Sequence, residues 1–437
     1  MGGYESVIGL EVHVQLLTKS KIFTRASAAF GADPNSNIDE LTFGLPGSLP
    51  VLNRKAVEFA LMLGIALKCQ IRKKSRFARK HYFYPDLPKG YQISQYDEPL
   101  CEQGSLVIEY EGGRRTIGIT RIHLEEDAGK NMHDPRTAHS LVDLNRAGVP
   151  LLEIVTAPDI RSPQEAGIFL RTLRSIVRYL GISDGNMEEG SLRCDANVSI
   201  REKGALTFGE RTEIKNMNSF RFVEKALEYE IARQLSLIKQ GKRPIQETRL
   251  YDSAENVTKP MRSKEESADY RYFPEPDLPP LVVEEAWIND IKGRMSKLPS
   301  EYKEELINKY GLSEYDADVL IAEKENVLFF LKTVEVCNNP KAACNWITSE
   351  LFGLLKKYGQ ELSQCKITPQ MLGKLILLVN KGVISGKIAK EIFERMFKTG
   401  EDPEEIVKKE GIKQINSPEQ ILKWVKEVIS KNKEQVK

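Results

Sequence analysis

Several stretches of this chain gather side chains capable of chemistry. In GLEVHVQL, residues 9–16, the polar Glu11, His13 and Gln15 alternate with the aliphatic Leu10, Val12 and Val14. That is the two-residue period of a strand with one polar face. On such a face Glu11 and His13 stand close enough to share an ion; the ordinary alternative is a half-exposed sheet strand. In RIHLEEDAGKN, residues 121–131, His123, Glu125 and Asp127 fall on one strand face and Glu126 on the other, ahead of Gly129 and Lys130. Carboxylates this dense repel one another unless a cation, a lysine or open water relieves them. A site with one or two carboxylates suits Mg²⁺, which keeps waters and bridges phosphates. A solvated acidic turn is the competing reading.

In ARKHYFYPDLPKGYQISQY, residues 78–96, Arg79, Lys80, His81 and Lys89 interleave with Tyr82, Phe83, Tyr84, Tyr91 and Tyr96. Cations beside rings suit phosphate contact and base stacking, while a proline-pinned loop covering a core edge has the same composition. In RTEIKNMNSF, residues 211–220, a helix capped by Asn218 or Ser219 would set free backbone N–H groups beside Lys215, Asn216 and Asn218, a place for an anion. Capping alone explains the asparagines. It does not explain Arg211, Glu213 and Lys215 on one face of the preceding strand. Two further segments, NRAGVPLLEIVTAPD with Arg146 and Glu153, and ADYRYFPEPD with Asp269, Arg271 and Asp277, are compatible with structural ion pairing.

The elements that position these residues follow from periodicity. At 437 residues the chain exceeds one ordinary core and divides into two to four domains. Up to about Trp287 it mixes strand patterns (VIGLEVHVQL, SLVIEY, RTIGITRIHLEE, NVSIRE, RTEIKN) with helices at AVEFALMLGIAL, PQEAGIFLRTLRSIVRYL and FRFVEKALEYEIARQLSLI. In the last helix Phe220, Val223, Leu227, Ile231 and Leu235 make a buried stripe. An antiparallel sheet with packed helices is expected. After Lys297-Leu298-Pro299 the chain is helical and lysine-rich, with caps at Thr368-Pro369 and Ser417-Pro418 and stops at Gly382, Gly400 and Gly411.

Composition narrows the function. With 41% hydrophobic and 29% charged residues and a net charge of +2, the chain is a globular protein without the global field of a nucleic-acid binder. No stretch has the apolar length to span a bilayer and the start lacks secretory-signal features, so a cytoplasmic location and no membrane partner are expected. Six cysteines, Cys69, Cys101, Cys194, Cys337, Cys344 and Cys365, include no Cys-x-x-Cys pair and predict reduced thiols. GVISGKI and EDAGKN both fail the phosphate-loop pattern, so any ATP is handled without a Walker loop. Nothing resembles a Ser-His-Asp elbow or a Gly-Gly-Ser-Ser amidase run. A Cys-His glutaminase using Cys101 or Cys194 is compatible with pattern alone, but Cys194 reads better as a small buried residue entering a strand.

Taken in order, the runs GLEVHVQL, HYFYPDLPKGYQISQY, HLEEDAGK, LVDLNRAGVPLLEIVT, EEGSLRCDANVSI, EIKNMNSFRFVEKALEYE and DYRYFPEPDL closely resemble the GatB family, the B-type chains of bacterial aspartyl/glutamyl-tRNA(Asn/Gln) amidotransferases. They cover the first two thirds of the chain nearly end to end. The resemblance implies an α+β fold: a mostly antiparallel sheet-and-helix cradle over 1–292, an all-α helical domain over 293–405, and the start of a tRNA-contacting tail over 406–437. It implies a carbon–nitrogen ligase that phosphorylates the side-chain carboxylate of misacylated Glu-tRNA(Gln) or Asp-tRNA(Asn) with ATP and Mg²⁺, then amidates it with ammonia. The ammonia comes from glutamine hydrolysed on a separate amidase (glutaminase) partner, which a small third chain clasps to complete a heterotrimer. The chemistry is sensible, because a carboxylate is a poor electrophile until one of its oxygens becomes part of a phosphate leaving group.

The same resemblance matches His13 and one glutamate of the Glu125-Glu126 pair to metal and tunnel-mouth positions, with Glu11 and Glu153 as neighbours. Alternation favours Glu125 beside His123, the family pattern favours Glu126, and both stand as catalytic and metal candidates. Lys80, His81, Lys89 and Tyr91 fall near the implied tunnel and pocket, and Lys215, Asn216, Asn218 and Arg211 are the candidates for holding the nucleotide. Many relatives carry four zinc-binding cysteines where this chain has Thr24, Ala26, Asp39 and Thr42, so no structural zinc is expected. The family continues past Lys437 with further tail helices, and weaker tRNA affinity is expected without them. Two other readings compete: a non-catalytic tRNA-holding scaffold, and the archaeal Glu-tRNA-only relative, which is disfavoured because no synthetase-like domain interrupts the region before Leu298.

Overall fold

The alternation at the start of the chain folds into a 12-residue strand, β1 (Tyr4–Gln15), whose Leu10, Val12 and Val14 are almost fully buried while Glu11, His13 and Gln15 are partly exposed. The computed structural model describes residues 3–133, 137, 139–261 and 270–411, with 422, 425, 426, 429 and 430. It forms two compact units, Met1–Leu298 and Pro299–Lys437. In the first, β1 joins β2 (Gln70–Ile71), β3 (Cys101–Tyr110), β4 (Gly113–Glu126), β5 (Pro150–Thr156), β6 (Leu192–Glu202), β7 (Thr212–Met217), β8 (Glu247–Asp252) and β9 (Val257–Pro260) in one sheet. The spatial order is β9-β8-β7-β6-β1-β5-β4-β3-β2. Only β7–β8 is parallel, and its crossover runs through the helix Phe220–Lys239.

One face of this sheet is the core. Leu10, Val12 and Val14 belong to a buried cluster with Val57 and Leu61 of the helix Arg54–Ala66, Phe169 and Leu173 of the helix Pro163–Tyr179, and Leu227 and Ile231 of Phe220–Lys239. Each such side chain contributes about 1.5–3 kcal/mol by leaving water. The three helices begin at side-chain caps from Asn53, Ser162 and Ser219, so Ser219 rather than Asn218 makes the cap expected before Phe220.

The opposite face is polar, and register aligns it. His13 of β1 faces Glu153 of β5, which faces His123 of β4. On the other side of β1, Arg193 and Asp195 of β6 face His13 and Glu11, and Asn197 faces Glu213 of β7. A three-stranded sheet of Phe273–Pro274, Ala78–His81 and Tyr91–Ser94 stands at the end of β4.

The second unit is helical throughout its described residues. Its helices are Pro299–Asn308, Glu314–Ile321, Lys324–Cys337, Pro340–Asn345, Phe352–Tyr358, Pro369–Asn380, Gly386–Thr399 and Pro403–Glu410, with a π-helical stretch at Trp346–Leu351. Glu314–Ile321 and Lys324–Cys337 are separated only by Ala322 and Glu323. Thr368 caps as expected, and Gly400 and Gly411 end their helices in the left-handed conformation. Ser385 caps the helix inside GVISGKI, which is therefore a helix start and not a phosphate loop. Ser417-Pro418 and Asp269 lie outside the described residues.

Candidate active site

Where β1, β5 and β4 run side by side, their polar residues converge. His13 Nε2 stands 3.7 Å from Glu125 Oε1 and 3.6 Å from Glu153 Oε2, and His123 Nε2 stands 3.6 Å from Glu125 Oε2 and 3.3 Å from Glu153 Oε2. One atom each from His13, Glu125 and Glu153 lie within 4.8 Å of one another. Ligand atoms at such separations fit around one ion bonded at about 2.0–2.6 Å, and an imidazole with two carboxylates suits a divalent cation. Ser94 Oγ donates to Glu125 Oε2 at 3.1 Å, and His123 Nδ1 is buried without a hydrogen-bond partner among the described residues.

The electrostatics are tightly linked. Burial works against the charges of Glu125 and Glu153, yet the facing imidazoles of His123 and His13 hold both carboxyls below their ordinary range. Burial likewise disfavours the cationic form of His123, but Glu125 and Glu153 win and raise it to about 9; His13 shifts upward for the same reason. Asp127 at the end of this row accepts from Gln15 Nε2 at 2.7 Å and from Arg193 Nη2 at 2.8 Å.

Glu126 takes the other side. It shares strand parity with the core residues Ile122 and Leu124, and its carboxylate accepts from Lys89 Nζ and from the Ile93 backbone N–H at 2.8 Å. Lys89 and Glu126 are both nearly unexposed. They line a small cavity with Lys21, Thr24, Leu87 and Asp127. Lys21 is 1% exposed, and its ammonium donates to Leu144 O at 3.4 Å; burial brings it down to about 8.

Beyond β1 the polar band continues. Glu11 accepts from Asn197 Nδ2 at 2.9 Å, and burial, then the charge of Glu153, raises its pKa. Lys215 Nζ bridges Asp195 at 2.7 Å and Glu213 at 2.9 Å. A cleft of about 310 Å³ opens beside Glu11, lined by Gly9, Thr156, Asn197, Phe208 and Arg211.

The structure thus brings together His13, Glu125 and Glu153, sets Glu11, Lys215 and Arg211 along the same face, and directs Glu126 and Lys89 to the cavity behind. Asn216 has a left-handed backbone and donates to Tyr251 O at 3.1 Å, and Asn218 lines a separate cleft with Arg174 and Arg178. His81 Nδ1 lies 3.1 Å from Arg271 O and its ring stacks on Phe273, while Lys80 lies over the rings of Tyr270 and Tyr82. Arg146 holds the turn after β4 through the carbonyls of Ala128 and Gly129. Asp39 accepts from Thr42 N and Oγ1, and Thr24 Oγ1 accepts from Ala26 N, so Thr24, Ala26, Asp39 and Thr42 take part in a turn and a helix cap. Arg193, Asp195, Asn197 and Lys21 join the residues singled out from sequence, among them His123. The first three carry an alternation signal; Lys21 carries none.

An α+β chain whose antiparallel sheet buries one face and gathers carboxylates, imidazoles and lysines on the other defines a class of site-bearing proteins. Comparison with known families gives the particular one: a family described as the GatB/GatE catalytic domain matches residues 6–289, one described as the GatB domain matches 328–437, and this chain belongs to the GatB family. A protein of Thermodesulfovibrio yellowstonii, named as the B chain of an aspartyl/glutamyl-tRNA(Asn/Gln) amidotransferase, is 56% identical over 433 residues, 99% of this chain and 91% of that protein. Proteins of the same name from Carboxydothermus hydrogenoformans and Bdellovibrio bacteriovorus are 53% and 52% identical over 99% of this chain, covering 90% and 91% of their own lengths. Among the described residues no helix is long and apolar enough to cross a membrane.

Proposed function

We propose that this chain is the transamidating component of a cytoplasmic tRNA-dependent amidotransferase, a ligase acting on misacylated Glu-tRNA(Gln) or Asp-tRNA(Asn) with ATP. The observation that carries this reading is the convergence of His13, Glu125 and Glu153 on the open face of the sheet. An oxygen of the substrate's side-chain carboxylate attacks the γ-phosphorus of ATP, and ADP leaves. Ammonia then adds to the carbonyl carbon of the acyl phosphate, phosphate departs and the nitrogen loses a proton. His13, Glu125 and Glu153 would hold a magnesium ion, which would supply positive charge against the phosphate oxygens.

The chain's own residues do the rest. Arg211 borders the cleft beside Glu11, whose size suits a nucleotide, and offers a cation to phosphate oxygens, with Lys215, paired to Asp195, on the same face of the strand. Lys89 fixes the Glu126 carboxylate at the rear cavity, where ammonia from the amidase partner would enter, the small third chain bracing that partner. Glu126 is there the base that takes a proton from entering ammonium, so that free ammonia goes on to the acyl phosphate.

With ammonium as nitrogen donor, His13→Ala and Glu126→Ala should abolish ATP-dependent amide formation while leaving tRNA retention in a gel shift. Activity surviving both changes would favour the scaffold reading, in which a partner performs the chemistry.

A further inference from the structure

Beside the carboxylate cluster stands a wall of rings that the chemistry above does not use. Tyr96 and Tyr272 stack with centroids 4.1 Å apart and planes 4° from parallel. Tyr270 meets Tyr272 and Tyr82 edge-on, at 6.0 and 6.2 Å. A core would bury such rings, yet Tyr96 is 51% exposed and Tyr270 36%.

Hydrogen bonds tie this wall to the site. Ser94, two residues before Tyr96, donates to Glu125, and Tyr82 Oη donates to Gln92 Oε1, whose Nε2 donates to Glu126 O at 2.6 Å. Burial, then the charges of Glu125 and Glu153, raises the pKa of Tyr272. Lys80 Nζ lies 4.7 Å from the Tyr270 ring centroid. Among the described residues it makes no ion pair, and its ammonium offers a cation to a phosphate.

Resting on the proposed transamidation, we infer that Tyr96, Tyr272 and Tyr270 form a stacking platform for the terminal nucleoside of the aminoacylated tRNA, with Lys80 on the adjoining phosphate. The reacting carboxylate is tethered to that base through one amino acid and one ribose, roughly 10 Å of covalent chain. The base must therefore rest on a surface bordering His13, Glu125 and Glu153, and here that surface is aromatic. Stacking reads no sequence. A platform of this kind accepts every tRNA alike, because all of them end in the same nucleoside.

A purine could also come from ATP, and the test separates the two sources. In the assembled amidotransferase, Tyr96→Ala and Tyr272→Ala should each raise KM for misacylated tRNA by roughly five- to hundred-fold, the range of one lost base stack. Tyr96→Phe and Tyr272→Phe should stay near the parent, with KM for ATP unchanged throughout. A tRNA bearing 2-aminopurine at its 3′ end should be quenched by the parent and the Phe variants but not by the Ala variants. An unchanged tRNA KM, a rise confined to ATP, or equal quenching by Ala and Phe variants would overturn the platform. Quenching by a parent that forms no amide would instead overturn the proposed function and leave the platform standing.

Discussion

Glu125 and Glu126 are neighbours in sequence and belong to different worlds. Glu125 looks onto two imidazoles and a second carboxylate, charges that pair loosely at 3.3–3.7 Å and leave room for an ion between them. Glu126 looks onto one ammonium and one backbone N–H in a closed pocket, its charge fully answered by the protein. The difference is one step of strand alternation. A β-strand can therefore present two separate acid functions on two sides of a sheet without any insertion between them.

The comparison can be broken first on the Glu126 side. Lys89→Met strands a buried carboxylate and should cost about 3–5 kcal/mol in urea unfolding. Adding Glu126→Gln should recover most of it; a single Lys89→Met variant as stable as the parent would mean that the two sides are not electrostatically different. On the Glu125 side, Glu125→Gln should weaken Mn²⁺ binding by about 100-fold in calorimetric titration, whereas Glu126→Gln should leave it nearly unchanged. Equal losses would erase the distinction.

The smallest effect concerns Lys21. Its pKa is about 8 in the fold and 10.5 as the ordinary value, so the unfolded chain holds more protons between those limits and stability should rise with pH from about 8 to 10.5. Lys21→Met should abolish that rise and, by removing a buried charge, raise stability near pH 7. Thermal melts across this pH range check it. A parent whose stability falls through the window would contradict the assignment.

Much of this was legible before any coordinates. Alternation alone put His123 with Glu125 and turned Glu126 away, and it separated Glu11 and His13 from the aliphatic residues of β1. It could not say which strands lie side by side, and the site depends on that: Glu153 meets His13 because β5 sits next to β1, a long-range pairing with no local signature. In SLRCDANVSI the alternation of Arg193, Asp195 and Asn197 marked a polar face as plainly as that of β1. Asn216 looked like a ligand by type, but the left-handed backbone it adopts is a turn conformation that asparagine tolerates. Lys21 was unreadable, since a lysine among polar neighbours ordinarily reaches water and only the closed pocket makes it unusual.

β1 is the first of these strands to be synthesised and the centre of the sheet, flanked by β5 and β6. Its partners end at Thr156 and Glu202, so almost two hundred residues must follow β1 off the ribosome before it is enclosed. At roughly 5–20 residues per second that is a wait of about ten to forty seconds. Through that interval the nascent chain carries an unpaired, half-apolar strand, an aggregation hazard that chaperones exist to cover. The polar face can assemble only when its last strands are made, so a stalled or shortened nascent chain carries His13 and Glu11 without their partners.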